Sequence, residues 1–230
     1  GYCAGEEPIT NDAGNGADGG GRVVEVSGEA MGAPGVEVQV ETEDCTGASC
    51  DIPAGSDVVF HAPMVPGYRF TGWTGESALC RGNELDLALM NVSANLRCIA
   101  NYIKRVKVSG VGETTIAAAS ESEFAACEGS MCEVDQGSSV VLTADPREGF
   151  RFAGFSGAGC EDVSGMMVSV VTGPDDVVCT ASFSQSFVVS GIAQGAPLAV
   201  TATSTTAGAT CNGGTCTVDL GGQVTLTAPI

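Results

Sequence analysis

The chain repeats, and that constrains its fold more than any other feature. Cys45-x4-Cys50 returns as Cys127-x4-Cys132 and again as Cys211-x4-Cys216, at steps of roughly 80 residues. Cys80 and Cys98 return at a similar step as Cys160 and Cys179. Between them lies a second marker: Gly67-Tyr68-Arg69-Phe70-Thr71-Gly72-Trp73-Thr74-Gly75 matches Gly149-Phe150-Arg151-Phe152-Ala153-Gly154-Phe155-Ser156-Gly157. A third marker runs Ser56 to Pro63, Ser139 to Pro146 and Gln223 to Pro229. Anchors in register at one period divide the chain into modules 22–102, 103–186 and 187–230. The third module has the C-x4-C element but neither the aromatic glycine motif nor the last two cysteines. Residues 1–21 are a Gly- and Asp-rich leader or linker with little to bury.

Within a module the runs Val23–Val26, Val36–Val40, Val58–His61, Tyr68–Trp73, Leu85–Leu89 and Leu96–Ile103 are rich in strand formers, several alternate with period two, and Gly, Asn, Asp and Pro punctuate them. They predict an all-β chain of tandem, small, disulfide-stapled modules, sandwich or β-grasp-like, arranged as beads on a string. A short helix over Ile116–Ala119 is the competing reading of the Ala-rich part.

Composition narrows the function. With 28 acidic and 9 basic residues the net charge is −19, so no nucleic-acid surface and no affinity for an anionic membrane are expected. No stretch reads as a membrane span. His61 is the single histidine, and Lys appears only at 104 and 107. That inventory rules out Ser-His-Asp and Cys-His chemistry without His61, whose place in a strand beside the counterparts Thr143 and Thr227 makes it a solvent-facing residue. No catalytic residue, cofactor or metal is expected. Eleven cysteines are too many for idle thiols in a reducing compartment. Repeat logic pairs them as Cys45–Cys50, Cys80–Cys98, Cys127–Cys132, Cys160–Cys179 and Cys211–Cys216. A four-cysteine zinc site in each complete module is the alternative, although zinc favours tighter knuckles. Cys3 is left over and is a candidate for an intermolecular bridge. The segment Asn11–Asp18 carries oxygen ligands of the kind calcium takes, with linker as the default reading. Asn91-Val92-Ser93 is a formal glycosylation sequon. Phe70, Trp73, Phe152 and Phe155 are expected to plug the cores of their modules, against a sugar-stacking platform as the other option.

The two complete modules resemble the divergent internalin B-repeat family of bacterial surface proteins. The resemblance is carried by the V-x-L-x-A-x-P strand (Val140, Leu142, Ala144, Pro146), the G-Y/F-x-F-x-G-W/F-x-G motif, and the closing C-x-A-x-Y/F strand, Cys98 to Tyr102 and Cys179 to Phe183. It departs at Phe60, in the Leu slot, and at Pro63 and Pro229, which follow their alanines directly. The resemblance implies tandem extracellular modules in stalks, adhesins and surface fibres, without a catalytic site. The expected role is therefore a structural extracellular repeat protein, part of a surface stalk or a fibre subunit, with an adhesin or carbohydrate-binding module as the alternative. Expected partners are further copies of the chain or other cell-surface proteins, with glycan possible. The third module carries one charge, Asp219, and an edge that another chain or the remainder of the repeat would complete.

Overall fold

The computed structural model describes residues 21–161, 165–194 and 199–228. Cys3 and the 11–18 segment, with the bridge and calcium roles considered for them, lie outside the described residues. Among the described residues all regular elements are strands. The first repeat comprises β1 (Val23–Met31), β2 (Gln39–Glu41), β3 (Thr46–Gly47), β4 (Ser49–Pro53), β5 (Ser56–His61), β6 (Tyr68–Gly75) and β7 (Asp86–Val92), and ends in β8 (Leu96–Gly112). The second comprises β9 (Thr115–Ala119), β10 (Ala126–Glu128), β11 (Met131–Asp135), β12 (Ser139–Asp145), β13 (Phe150–Ser156) and β14 (Met167–Val171), and ends in β15 (Val177–Ser190). The third comprises β16 (Thr201–Thr203), β17 (Thr210–Asn212), β18 (Thr215–Asp219) and β19 (Thr225–Thr227). The chain forms two compact units. Of the described residues, one contains 21–30, Glu37–Pro63 and Gly72–Ala100; the other contains Met31–Val36, Met64–Thr71 and those from Asn101 onward.

In the larger unit the second repeat is a two-layer sandwich. One layer is the antiparallel sheet β14–β12–β9. The other runs β10–β11–β8 and continues through β15, parallel to β8, to β13. Period-two alternation sends Val140, Leu142 and Ala144 of β12 inward and leaves Ser139 and Asp145 exposed. With Ile116, Val168 and Val170 of the same sheet they meet Val106, Val108, Val134, Phe155 and Ala181 of the other layer in one core. The Ala-rich stretch at 116–119 is strand, not helix. Ile116 and Ala118 pair with Ala144 and Leu142, and that ladder outweighs the helix preference of alanine.

The smaller unit pairs β1 with β4 and stacks β3–β2–β5–β7 as a second sheet. Its interior holds Val24, Val26, Ile52, Val40, Val58, Phe60, Leu87 and Leu89. The strand expected over Val36–Val40 forms only at Gln39–Glu41, after the turn at Gly35, which has a φ of 70°. One packing rule recurs in all three repeats. A Cβ on Gly28, Gly110 or Gly191 would lie within 2.4, 2.5 or 2.6 Å of Val38, Ile116 or Val200, so the entering strand passes too close for any side chain.

Five disulfides staple the described residues: Cys45–Cys50, Cys80–Cys98, Cys127–Cys132, Cys160–Cys179 and Cys211–Cys216. Cys127 and Cys211 stand directly opposite Cys132 and Cys216 in two-stranded hairpins, with Cα atoms 4.0 Å apart. In the first repeat β3 pairs with β2 instead, and the Cα separation widens to 6.0 Å. Among the described residues no group of three or more His, Cys, Asp or Glu is placed to hold a metal ion, and no helix is long and apolar enough to cross a membrane.

Candidate interaction site at the repeat junction

Trp73 and Phe155 are each 3% exposed, so neither offers a platform to a ligand. Trp73 meets Phe60 edge-on at 6.0 Å and donates its indole N–H to the Glu84 carbonyl at 2.9 Å. Phe70 and Phe152 are half-buried; they stack on Tyr102 and on Phe155 and Phe183. His61 bridges two neighbouring strands. Its Nε2 lies 3.0 Å from Glu41 and its Nδ1 2.8 Å from Asp86. The hydrogen bond with Asp86 raises its pKa; partial burial opposes this, and Glu41 adds to the rise. All three side chains stand at the surface, where the trio acts as a cross-strand polar tie.

The one buried charged residue among the described residues, Asp135, lies where one repeat passes into the next. The chain has no loop between the second and third repeats: β15 pairs with β13 through Phe150–Ser156 and then, without a break, with β18 through Ser186–Ser190. The expected boundary at 186 falls inside this strand. Backbone hydrogen bonds fasten the crossing. The Ser186 amide donates to the Gly149 carbonyl at 2.7 Å, and the Leu220 amide to the Gln185 carbonyl at 2.8 Å. The equivalent bonds in β8 join the Arg105 amide to the Gly67 carbonyl at 2.8 Å and the Gln136 amide to the Lys104 carbonyl at 2.9 Å.

Beside these bonds sits an arginine from the aromatic glycine motif. The Arg69 Nε donates to both Asp135 oxygens, at 3.2 and 3.1 Å, while Nη2 reaches Oδ2. Arg105 is a second cation on the same carboxylate, its Nη1 3.1 Å from Oδ1. Arg151 makes the same two-pronged contact with Asp219, its Nε 2.8 Å from Oδ1 and its Nη2 on Oδ2. Burial pushes the Asp135 carboxyl up, but hydrogen bonds from Arg69 and Arg105 outweigh it and hold the group below the ordinary carboxylate value. Asp219 is lowered chiefly by its hydrogen bond from Arg151. Sequence reasoning quoted both arginines inside the motif without giving them a role. Their partners lie 66 and 68 residues away, and only the fold brings them together.

Comparisons with known proteins agree with the repeat reading. Residues 113–187 match the family model described as a divergent InlB B-repeat domain. No curated protein matches the chain. Among solved structures, the shaft pilin SpaA from Lactobacillus rhamnosus GG aligns at 7% identity over 70% of this chain and 98% of that one, with a TM-score of 0.21. A point mutant of that pilin aligns at 7% identity, over 70% and 97% of the two chains, with a TM-score of 0.22. Scores this low do not place the chain in the pilin fold. The match covers the second repeat alone; that repeat type, together with disulfides that persist in oxidising surroundings, supports an extracellular structural or surface protein.

Proposed function

We propose that the chain is a segment of a bacterial surface stalk or of an extracellular fibre, a spacer that bears load and does not transform a substrate. The observation that carries this reading is the unbroken passage of β15 from one repeat to the next. A spacer must transmit position along its length, and a shared strand leaves no flexible peptide to dissipate it. In a fibre, contacts with further copies or with other surface proteins would extend the array.

The test is the distribution of distances between the second and third repeats in solution. Spin labels carried on non-canonical residues at Ser169 and Thr203, both on exposed strand positions, would report it by pulsed electron resonance. The reading expects one narrow distance band. A broad distribution would overturn it, because repeats that swing freely cannot act as a spacer.

A further inference from the structure

The arginine contact at the junction recurs with its whole surroundings. On one side of the guanidinium stands the aspartate three residues after the second cysteine, Asp135 in Cys132-Glu133-Val134-Asp135 and Asp219 in Cys216-Thr217-Val218-Asp219. In both repeats this residue is in register with the first paired residue of the entering strand, as Arg105↔Asp135 and Ser186↔Asp219. On the other side lies the loop before the first cysteine. Ser120 and Ser204 organise this loop alike: each hydroxyl donates to a backbone carbonyl, of Ser139 and Gln223, and accepts the amide two residues on. That fixes Phe124 and Gly208 at equivalent places. Arg69 lies 3.7 Å over the Phe124 ring. Arg151 lies against Gly208, where a Cβ would come within 2.9 Å of the guanidinium.

The first repeat has the same ladder and a different residue. Val23 pairs with Pro53, and the Ala54 amide donates to the Arg22 carbonyl at 2.7 Å, in the positions of Arg105, Asp135, Gln136 and Lys104. Proline offers no carboxylate there. We infer that the aspartate and the loop before the first cysteine form a docking site for the arginine of the preceding repeat, and that the first repeat lacks it. The partner that fits the second and third repeats is thus an upstream repeat of this same type with arginine at the third motif position. The first repeat offers such an arginine no carboxylate, so a like repeat placed there would lack this contact. This assignment holds whether or not the array serves as a stalk.

Amide hydrogen exchange on the full chain tests it, with Arg151→Ala, Asp219→Asn and the double variant. The inference expects amides of β18, such as Thr217 and Val218, to exchange several-fold faster in each single variant. The double variant should be no faster than either single, since the two residues act as one contact. Amides of β12, such as Val140 and Leu142, should keep their rates. Unchanged β18 rates in the single variants would overturn the inference. So would additive losses in the double variant, or equal acceleration in β12, which would mark general destabilisation.

Discussion

The two junctions use one contact in two environments. At Asp135 the carboxylate is 9% exposed and is shared by Arg69 and Arg105, the latter 12% exposed. At Asp219 the carboxylate is 22% exposed and has Arg151 alone, which is 43% exposed. Removing water strengthens a charge pair and raises the penalty for leaving one member unpaired. The same geometry is therefore strongly consequential at the first site and mild at the second. The covers differ in the same sense: an aromatic ring shields Arg69, while bare backbone at Gly208 leaves Arg151 open to solvent.

The largest expected effect is the loss of Asp135. Asp135→Ala takes from Arg69 and Arg105 the carboxylate they share, leaving Arg105 with Glu133 and two backbone carbonyls, and should cost about 3 kcal/mol, the low end of the scale for breaking a buried pair. Asp219→Ala should cost clearly less, and equal losses in denaturant unfolding would break the comparison. The covers come next. Gly208→Ala places a Cβ on the guanidinium and puts a side chain at a φ of +79°, for a loss of about 1 kcal/mol. Phe124→Ala removes only the ring under Arg69, a loss of about 0.5–1 kcal/mol. A Gly208→Ala protein as stable as the parent would show that Arg151 does not need its close approach.

Acid should weaken both junctions. A carboxylate whose folded pKa is lowered contributes stability above its unfolded value, near 4, and that contribution disappears as pH falls through the folded pKa. Both aspartates follow this rule. Asp135→Asn and Asp219→Asn should each remove part of the acid-dependent fall in Tm, which thermal melts between neutral and acid pH would read; a fall left unchanged by both would show that neither carboxylate is linked to folding. The smallest effect belongs to His61, whose folded pKa is raised. Its contribution is complete below the unfolded value, near 6.5, and is lost as pH rises through the folded one. His61→Gln should flatten a slight fall in the stability of the smaller unit above neutrality, and a slope unchanged by the substitution would show that the tie to Glu41 and Asp86 is inert.

The period and the all-β class were legible because cysteine spacing and the glycine-aromatic motif are local patterns. Alternation in β12 told inside from outside in the same way. Strand β4 and its counterparts were harder to see, since Ser49–Pro53 is short and carries a cysteine and an aspartate where strand formers would signal it. The junction was illegible for a different reason. Arg69 and Asp135 are ordinary surface types, and their pairing depends on two strands from different repeats coming into register. One signal was present all along. Arginine occupies the third motif position in both complete repeats, aspartate stands three residues after the second cysteine in the second and third repeats, and proline takes that place in the first. The two carboxylates around His61 likewise come from neighbouring strands that only pairing brings together.

The parallel pairing of β15 with β8 has a mechanical consequence. In the second repeat the entering and leaving strands are immediate neighbours, running the same way from Val108 opposite Val177 to Gly112 opposite Ala181. Tension applied at the two ends of that repeat drags these strands past each other along their length. Their hydrogen bonds must then fail together and not one after another, which is how a modest ladder comes to resist a large pull. Beyond that point the Cys160–Cys179 bond ties β15 to the loop after β13, so the residues between them cannot pay out as slack.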